Sequence, residues 1–276
     1  MFDGVGDVMA NNGRSLLSYV KDARHVPALN ANQAISGVLC PAGLATMVRP
    51  DIIAIVCDDP TYAFFSLVHY FAERVFEGIP SHSQSDYDPA WVSVAPESVF
   101  IGRNVVLEPG VVIHKGVRLG DECIIRAGAV LGLDSFQHQR TRHGIISPSH
   151  NGFLEIGARV EVGANSTLSK GFSYRPTFVD DDVKCDAHSY VAHGAYIARE
   201  SFICAGARIM GHTVIGAQSF IGPGAIVSSR VILGPKTDVS LGSVVTKNSP
   251  GGEKLTGNFA IPHGAFLRGL KAAAMG

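Results

Sequence analysis

The chain has 276 residues, 46% of them hydrophobic and 17% charged, and 23 Lys+Arg against 24 Asp+Glu leave a formal net charge of −1. That is enough apolar chain to bury a substantial core, and the near-neutral balance gives no electrostatic basis for binding nucleic acid or an anionic membrane. No apolar run approaches the ~20 residues of a membrane helix. The opening MFDGVGDVMANNGR lacks the basic-then-apolar order of a secretory signal. The five cysteines (Cys40, Cys57, Cys123, Cys185, Cys204) are scattered, with no Cys-x-x-Cys pair, so reduced thiols in a cytoplasmic protein are expected.

Residues 1–90 read as a small α/β domain. Leu16, Leu17 and Val20 suggest a short amphipathic helix, and SGVLC and DIIAIVC read as buried strands. Asp59-Pro60 then opens a helix through about Phe76, with Asp59 as N-cap and Pro60 at the first helical position.

From 91 to 250 a six-residue period takes over. From Val179 an aliphatic or similar residue recurs at Cys185, Val191, Ile197, Ile203, Ile209, Ile215, Ile221, Val227, Leu233, Val239 and Val245. Four residues after each of the first eleven stands Ser, Thr, Ala or Val, as at Ser189, Ala207, Thr213 and Ser219. The same register runs from Ala95 through Ile101, Leu107, Ile113, Leu119, Ile125 and Leu131, and again through Ile156, Val162 and Leu168. Three such hexads close one 18-residue coil, so 21 hexads predict about seven coils of a mainly β solenoid. Its core forms by stacking coils ~4.8 Å apart, the large residue filling the interior and the small one turning the corner. Two insertions interrupt the register, 137–155 with His138, His143 and His150, and 174–178. The first reads as a solvated surface loop. Residues 251–276 form a tail, with a short helix from Pro262 to about Ala273.

The hexads resemble those of the left-handed β-helix acyltransferases. Within that group, DDPTYAF (58–64) is similar to the Asp-Asn-Pro-Tyr-x-Ala-Phe segment of the UDP-3-O-acylglucosamine N-acyltransferases of lipid A synthesis. VGANSTLSKG (162–171) and VKCDAHSYVAHGAYI (183–197) resemble that family's Ile-Gly-Ala-Asn-Thr-Thr-x-x-Arg-Gly and Lys-x-Asp-Asn-x-x-x-x-Ala-His-Asn. The resemblance implies a left-handed parallel β-helix and a homotrimer with active sites between subunits. It makes His193 the catalytic base, Asp186 the motif aspartate, and Asp59 and Tyr62 the nucleobase-binding pair. The chain departs from the family at Asp59, Ala187 and Gly194, each in place of Asn. It also has Asp134-Ser135-Phe136-Gln137-His138 in place of Asp-Gly-Phe-Gly-Phe. These changes bear on the acceptor sugar and its nucleotide more than on the reaction.

Stacking supports the same centre. Gly211 lies 18 residues after His193, in the same position of the next coil, so its backbone N–H can approach what His193 contacts. Thioester aminolysis needs such a pair: a base for the amine proton and a donor for the oxyanion. Asp186 could orient the imidazole or hold a sugar hydroxyl. Lys170 stacks one coil before His193 once the 174–178 insertion is skipped, and with Asn165 and His188 it is a candidate for the substrate or donor cleft.

The expected reaction is transfer of an acyl group from a thioester to the amine of a UDP- or dTDP-linked amino sugar, for lipopolysaccharide or another surface glycan. No bound cofactor is expected. The short tail favours a short-chain acyl-CoA donor, the alternative being an acyl-carrier-protein-dependent UDP-3-O-acylglucosamine N-acyltransferase. Two other classes fit less of the chain. His188 and His193 also resemble the histidine pair of the γ-class carbonic anhydrases, yet their stacked columns hold Lys170, Leu133 and Asn165, not a third histidine for zinc. A non-catalytic scaffold would show neither thioester turnover nor nucleotide-sugar binding. No metal is expected.

Overall fold

The computed structural model describes residues 2–10, 15–173, 175–258 and 262–274; Asn11–Arg14 of the opening stretch and Tyr174 of the second insertion lie outside them. Four parallel strands, β1 (Gly4–Val5), β2 (Leu16–Tyr19), β3 (Ile35–Cys40) and β4 (Ile53–Val56), pair in sequence order. Helices α1 (Val26–Ala31) and α2 (Ala42–Ala45) connect strands, and α3 (Pro60–Val75) follows β4. Val38 and Cys40 pack with Val26 and Leu29 on one face of the sheet, while Leu17 and Leu39 pack with Phe64, Phe65 and Val68 of α3 on the other.

Two expectations change here. Leu16 and Leu17 lie in a strand, not a helix. β2 is flanked by β1 and β3 and covered on both faces, so consecutive residues are buried, and a short apolar run does not distinguish that from a helix. DIIAIVC does contain a strand, but β4 is an edge whose Ile53 is 61% exposed. The cap of α3 is as expected, Asp59 Oδ1 accepting the N–H of Tyr62 at 2.9 Å.

The rest of the chain winds into a triangular parallel β-helix of three eight-stranded sheets. Tyr196 pairs with Val214 and Ile197 with Ile215, the 18-residue step of the hexads. Eight strands per face exceed the seven coils of the repeat because one further strand caps each face, His82–Ser83 and Ser93–Val94 at one end and Lys254–Leu255 at the other. Val191, Ile197, Ile203, Ile209, Ile215 and Ile221 are each 0% exposed and line one continuous core. Each such side chain contributes ~1.5–3 kcal/mol on burial, and truncating one to Ala costs ~2–5 kcal/mol. The small corner residues are equally buried, and their hydroxyls are satisfied locally. Ser219 Oγ donates to the carbonyl of Gly216, and Thr237 Oγ1 to that of Gly234, each at 2.7 Å.

The 137–155 insertion is not a solvated loop. Gln139–Thr141 and Gly144–Ile146 form an antiparallel hairpin. Ile146 packs into the cluster that α3 shares with Phe172 of the β-helix. Past the hairpin the chain dives inward, leaving His150 and Asn151 each 1% exposed. The tail forms α4 (His263–Ala274), close to the expected span. No helix among the described residues is long and apolar enough to cross a membrane.

Candidate active site

His193 follows the strand Tyr190–Val191. Val191 points into the solenoid, and two residues later the chain turns the corner, carrying the imidazole outward. Three parts of the same chain meet it there. The N-terminal sheet supplies Asp7 and Tyr19, α3 supplies Phe64 and Phe65, and the loop before the hairpin supplies Phe136 and Gln137. With Phe172, Gly211, His212 and Arg230 they enclose a pocket of about 340 Å³. The seat of the N-terminal sheet is specific. Phe65 stacks on Phe172 at 6.0 Å, and the Asp7 N–H donates to Ser173 Oγ at 3.1 Å. One wall expected from a neighbouring subunit is therefore present within a single chain.

Enclosure sets the electrostatics. Burial, with Arg230 nearby, pushes the His193 imidazole down to about 4. Burial, with His193 and Arg175 adding to it, takes His212 to about 3. The two rings meet edge to face, 4.9 Å apart. At neutral pH His193 is unprotonated, as a base must be.

The Nδ1 side of His193 is occupied. Ser135 Oγ lies 2.5 Å from His193 Nδ1 and 3.1 Å from Nε2 of His150. The Ser135 N–H also donates to His150 Nε2, at 3.3 Å. Burial pushes the His150 imidazole down to about 4. Its backbone N–H donates to Asp134 Oδ2 at 3.2 Å, and its Nδ1 lies 3.9 Å from the same oxygen. Asp134 Oδ1 pairs with Lys170 Nζ at 2.9 Å. Sequence reasoning missed Ser135 and His150. The usable signal was the changed loop, Asp134-Ser135-Phe136-Gln137-His138, which places a hydroxyl where the resembled loop has glycine.

On the other side is Gly211. A Cβ there would lie 3.0 Å from His193 Nε2 and 3.1 Å from Cε1, so the imidazole rests directly against this backbone. The Gly211 N–H donates to none of the described residues, although its carbonyl accepts from Arg230 N. An unprotonated imidazole and a backbone N–H without a partner among the described residues thus belong to one corner of the site.

Other candidate residues fall elsewhere. Lys170 is only 5% exposed, its ammonium 5.4 Å from the centre of the Phe76 ring at the end of α3. Paired with Asp134, it does not front the pocket, so the cleft expectation for it is corrected. Asp186 lies on an earlier face, in a separate depression with Arg126, Lys184, Phe202 and Cys204, and its Oδ1 accepts the N–H of Ala187 at 2.7 Å. It does not orient His193 within the chain, because Ser135 holds that position. Asn165 and His188 are exposed corner residues in the left-handed region, at φ 55° and 58°, and neither lines the His193 pocket.

Asp59 and Tyr62 lie together at the start of α3, at the hairpin tip. Partial desolvation of Asp59 is outweighed by hydrogen bonds from the N–H groups of Tyr62 and Arg142, the latter at 2.8 Å, which hold its carboxyl below the usual range. Tyr62 is 41% exposed, and the His143 ring lies 4.5 Å from it, tilted by 45°.

A family model described as bacterial transferase hexapeptide (six repeats) matches residues 98–132. UDP-3-O-acylglucosamine N-acyltransferase from Bordetella pertussis is 38% identical over 117 residues, covering 40% of this chain and 31% of that protein. The enzyme of the same name from Helicobacter pylori is 27% identical over 224 residues, covering 72% and 66%. The match thus spans about a third of the first of these relatives and just under two thirds of the second. Among solved structures, a UDP-N-acetylglucosamine acyltransferase from Bacteroides fragilis superimposes with a TM-score of 0.50 at 20% identity, over 64% of this chain and 67% of that one. The chain is thus a left-handed parallel β-helix, a stretch of which (98–132) matches the transferase hexapeptide model, and it resembles the UDP-3-O-acylglucosamine N-acyltransferases.

Proposed function

We propose that this chain is an N-acyltransferase that moves an acyl group from a thioester to the amine of a UDP-linked, 3-O-acylated glucosamine. The observation that carries the reading is His193 in its enclosed pocket, unprotonated, with Nε2 beside the Gly211 backbone, whose N–H has no partner among the described residues. The amine attacks the thioester carbonyl while His193 Nε2 takes its proton. The Gly211 N–H stabilises the tetrahedral oxyanion, and the C–S bond then breaks as the imidazolium returns its proton to the departing sulfur. A positioned base contributes ~10²–10⁴-fold, and one oxyanion donor ~10²–10³-fold.

The donor expected from the tail, a short-chain acyl-CoA, gives way to an acyl carrier protein thioester. Similarity to relatives named for an acceptor already acylated at its 3-oxygen supports the lipid A branch over a short-chain sugar modification. Asp59 and Tyr62 bind the nucleobase, the chain works as a homotrimer, and the reaction is cytoplasmic. Light scattering checks the trimer, and a fully active monomer refutes it.

The direct test is thiol release from long-chain acyl carrier protein and from acetyl-CoA, with UDP-3-O-acylglucosamine as acceptor. We expect at least a hundredfold preference for the carrier protein, and loss of two to four orders of magnitude in His193→Ala with its melting temperature kept. Near-normal turnover in that folded variant refutes the assignment.

A further inference from the structure

We propose that Ser135 and His150 are positioning residues for His193: they hold its imidazole in the Nδ1–H tautomer, so that Nε2 faces the pocket as a free lone pair. This rests on His193 acting as the base, and it adds how the chain selects the productive one of two neutral tautomers.

Lys170 is 5% and His150 1% exposed. Asp134 bridges them, taking Lys170 Nζ on one oxygen at 2.9 Å and the His150 backbone N–H on the other at 3.2 Å. The Ser135 N–H points at His150 Nε2 from 3.3 Å. A backbone N–H is always a donor, so Nε2 is an acceptor and the neutral ring carries its proton on Nδ1. That is the nitrogen 3.9 Å from Asp134 Oδ2, where a carboxylate favours a proton. The whole His150 ring is thereby oriented without help from His193.

Ser135 then has one hydroxyl proton and two acceptors within reach, His150 Nε2 at 3.1 Å and His193 Nδ1 at 2.5 Å. Donated to His150, the proton leaves an oxygen lone pair for His193, whose Nδ1 must then bring a hydrogen. Donated to His193, it would force that ring's proton onto Nε2 and block the base. The first polarity aligns both bonds in one direction, from His193 Nδ1–H through Ser135 O–H to His150 Nε2, while His150 Nδ1 makes no hydrogen bond and lies 3.9 Å from the Asp134 carboxylate. Bonds aligned in this way polarise one another. Positive charge developing on His193 as it takes the amine proton is then stabilised along the chain.

Nitrogen-15 spectra of histidine-labelled protein distinguish the protonated from the bare nitrogen of each ring and need no substrate. His193→Gln assigns the signals of His193. The expected result is a protonated Nδ1 and bare Nε2 at His193 in the unmodified protein. His150→Phe removes the acceptor, frees the Ser135 proton for His193 Nδ1, and moves most of the population to the Nε2–H form. Ser135→Ala, a small change certain to be tolerated sterically, gives a mixture. In turnover both variants lose about ten- to a hundredfold in kcat with KM within threefold, and His150→Gln, which keeps an acceptor oxygen, recovers most of the loss. A wild-type ring already protonated on Nε2, or a tautomer unmoved in both variants, overturns the proposal. Failure of the base assignment appears separately, as full activity in His193→Ala whatever the spectra show.

Discussion

Gly211→Ala adds one methyl group against the imidazole of His193. The new Cβ would stand 3.0 Å from Nε2 and 3.1 Å from Cε1, whereas carbon contacts are at their best near 3.5–4.0 Å. The ring must recede by about half an ångström. It cannot swing away freely, because Nδ1 is held at 2.5 Å by Ser135 and the ring is flanked by His212. A misplacement of ~1 Å can cost ~10²-fold, so half that distance costs roughly tenfold. The methyl also crowds the free Gly211 N–H, and complete loss of an oxyanion donor costs ~10²–10³-fold. Partial occlusion added to the displaced base gives an expected fall of about a hundredfold in kcat. Gly211 is not in the left-handed region, so alanine suits its backbone and the fold survives. Steady-state thiol release checks the rate, and calorimetry checks that the variant is folded. Turnover within threefold of the unmodified protein would sink the assignment of this backbone to the site.

Acid should destabilise the fold in a defined window. Burial holds His193 and His150 at about 4 and His212 at about 3, below the 6.5 of an exposed histidine. The unfolded chain therefore binds more protons between those values, and the stability these groups confer is present above pH 6.5 and lost as pH falls toward 4. Calorimetry from pH 7.5 to 4.5 should show a falling melting temperature, and a flat profile would contradict the burial of these rings. The acid limb of kcat/KM should lie near pH 4, not near 6.5. Tyr62→Ala should raise KM for the UDP-sugar about tenfold, the scale of one ~1–3 kcal/mol base–aromatic stack, and leave kcat within threefold; an unchanged KM would remove this ring from the nucleotide site.

The hexads alone determined the solenoid. Its core is periodic, so each buried position answers to a short-range rule, a large aliphatic residue inside and a small one at the corner. That rule also placed Gly211 against His193 with no coordinates, since stacking converts an 18-residue interval into contact. The N-cap at Asp59 was legible for the same reason, being a local hydrogen bond. Leu16 and Leu17 were not, because strand and helix differ there only in which distant layers cover them. Nor was the enclosure of His193. Asp7, Phe64, Ser135, His150 and Arg230 are separated by long stretches of sequence and meet only because α3 seats on Phe172 and the 137–155 insertion folds back under its own hairpin. No periodicity connects them. Tertiary packing removes water from their pocket, and that desolvation keeps His193 unprotonated and buries His150 behind it.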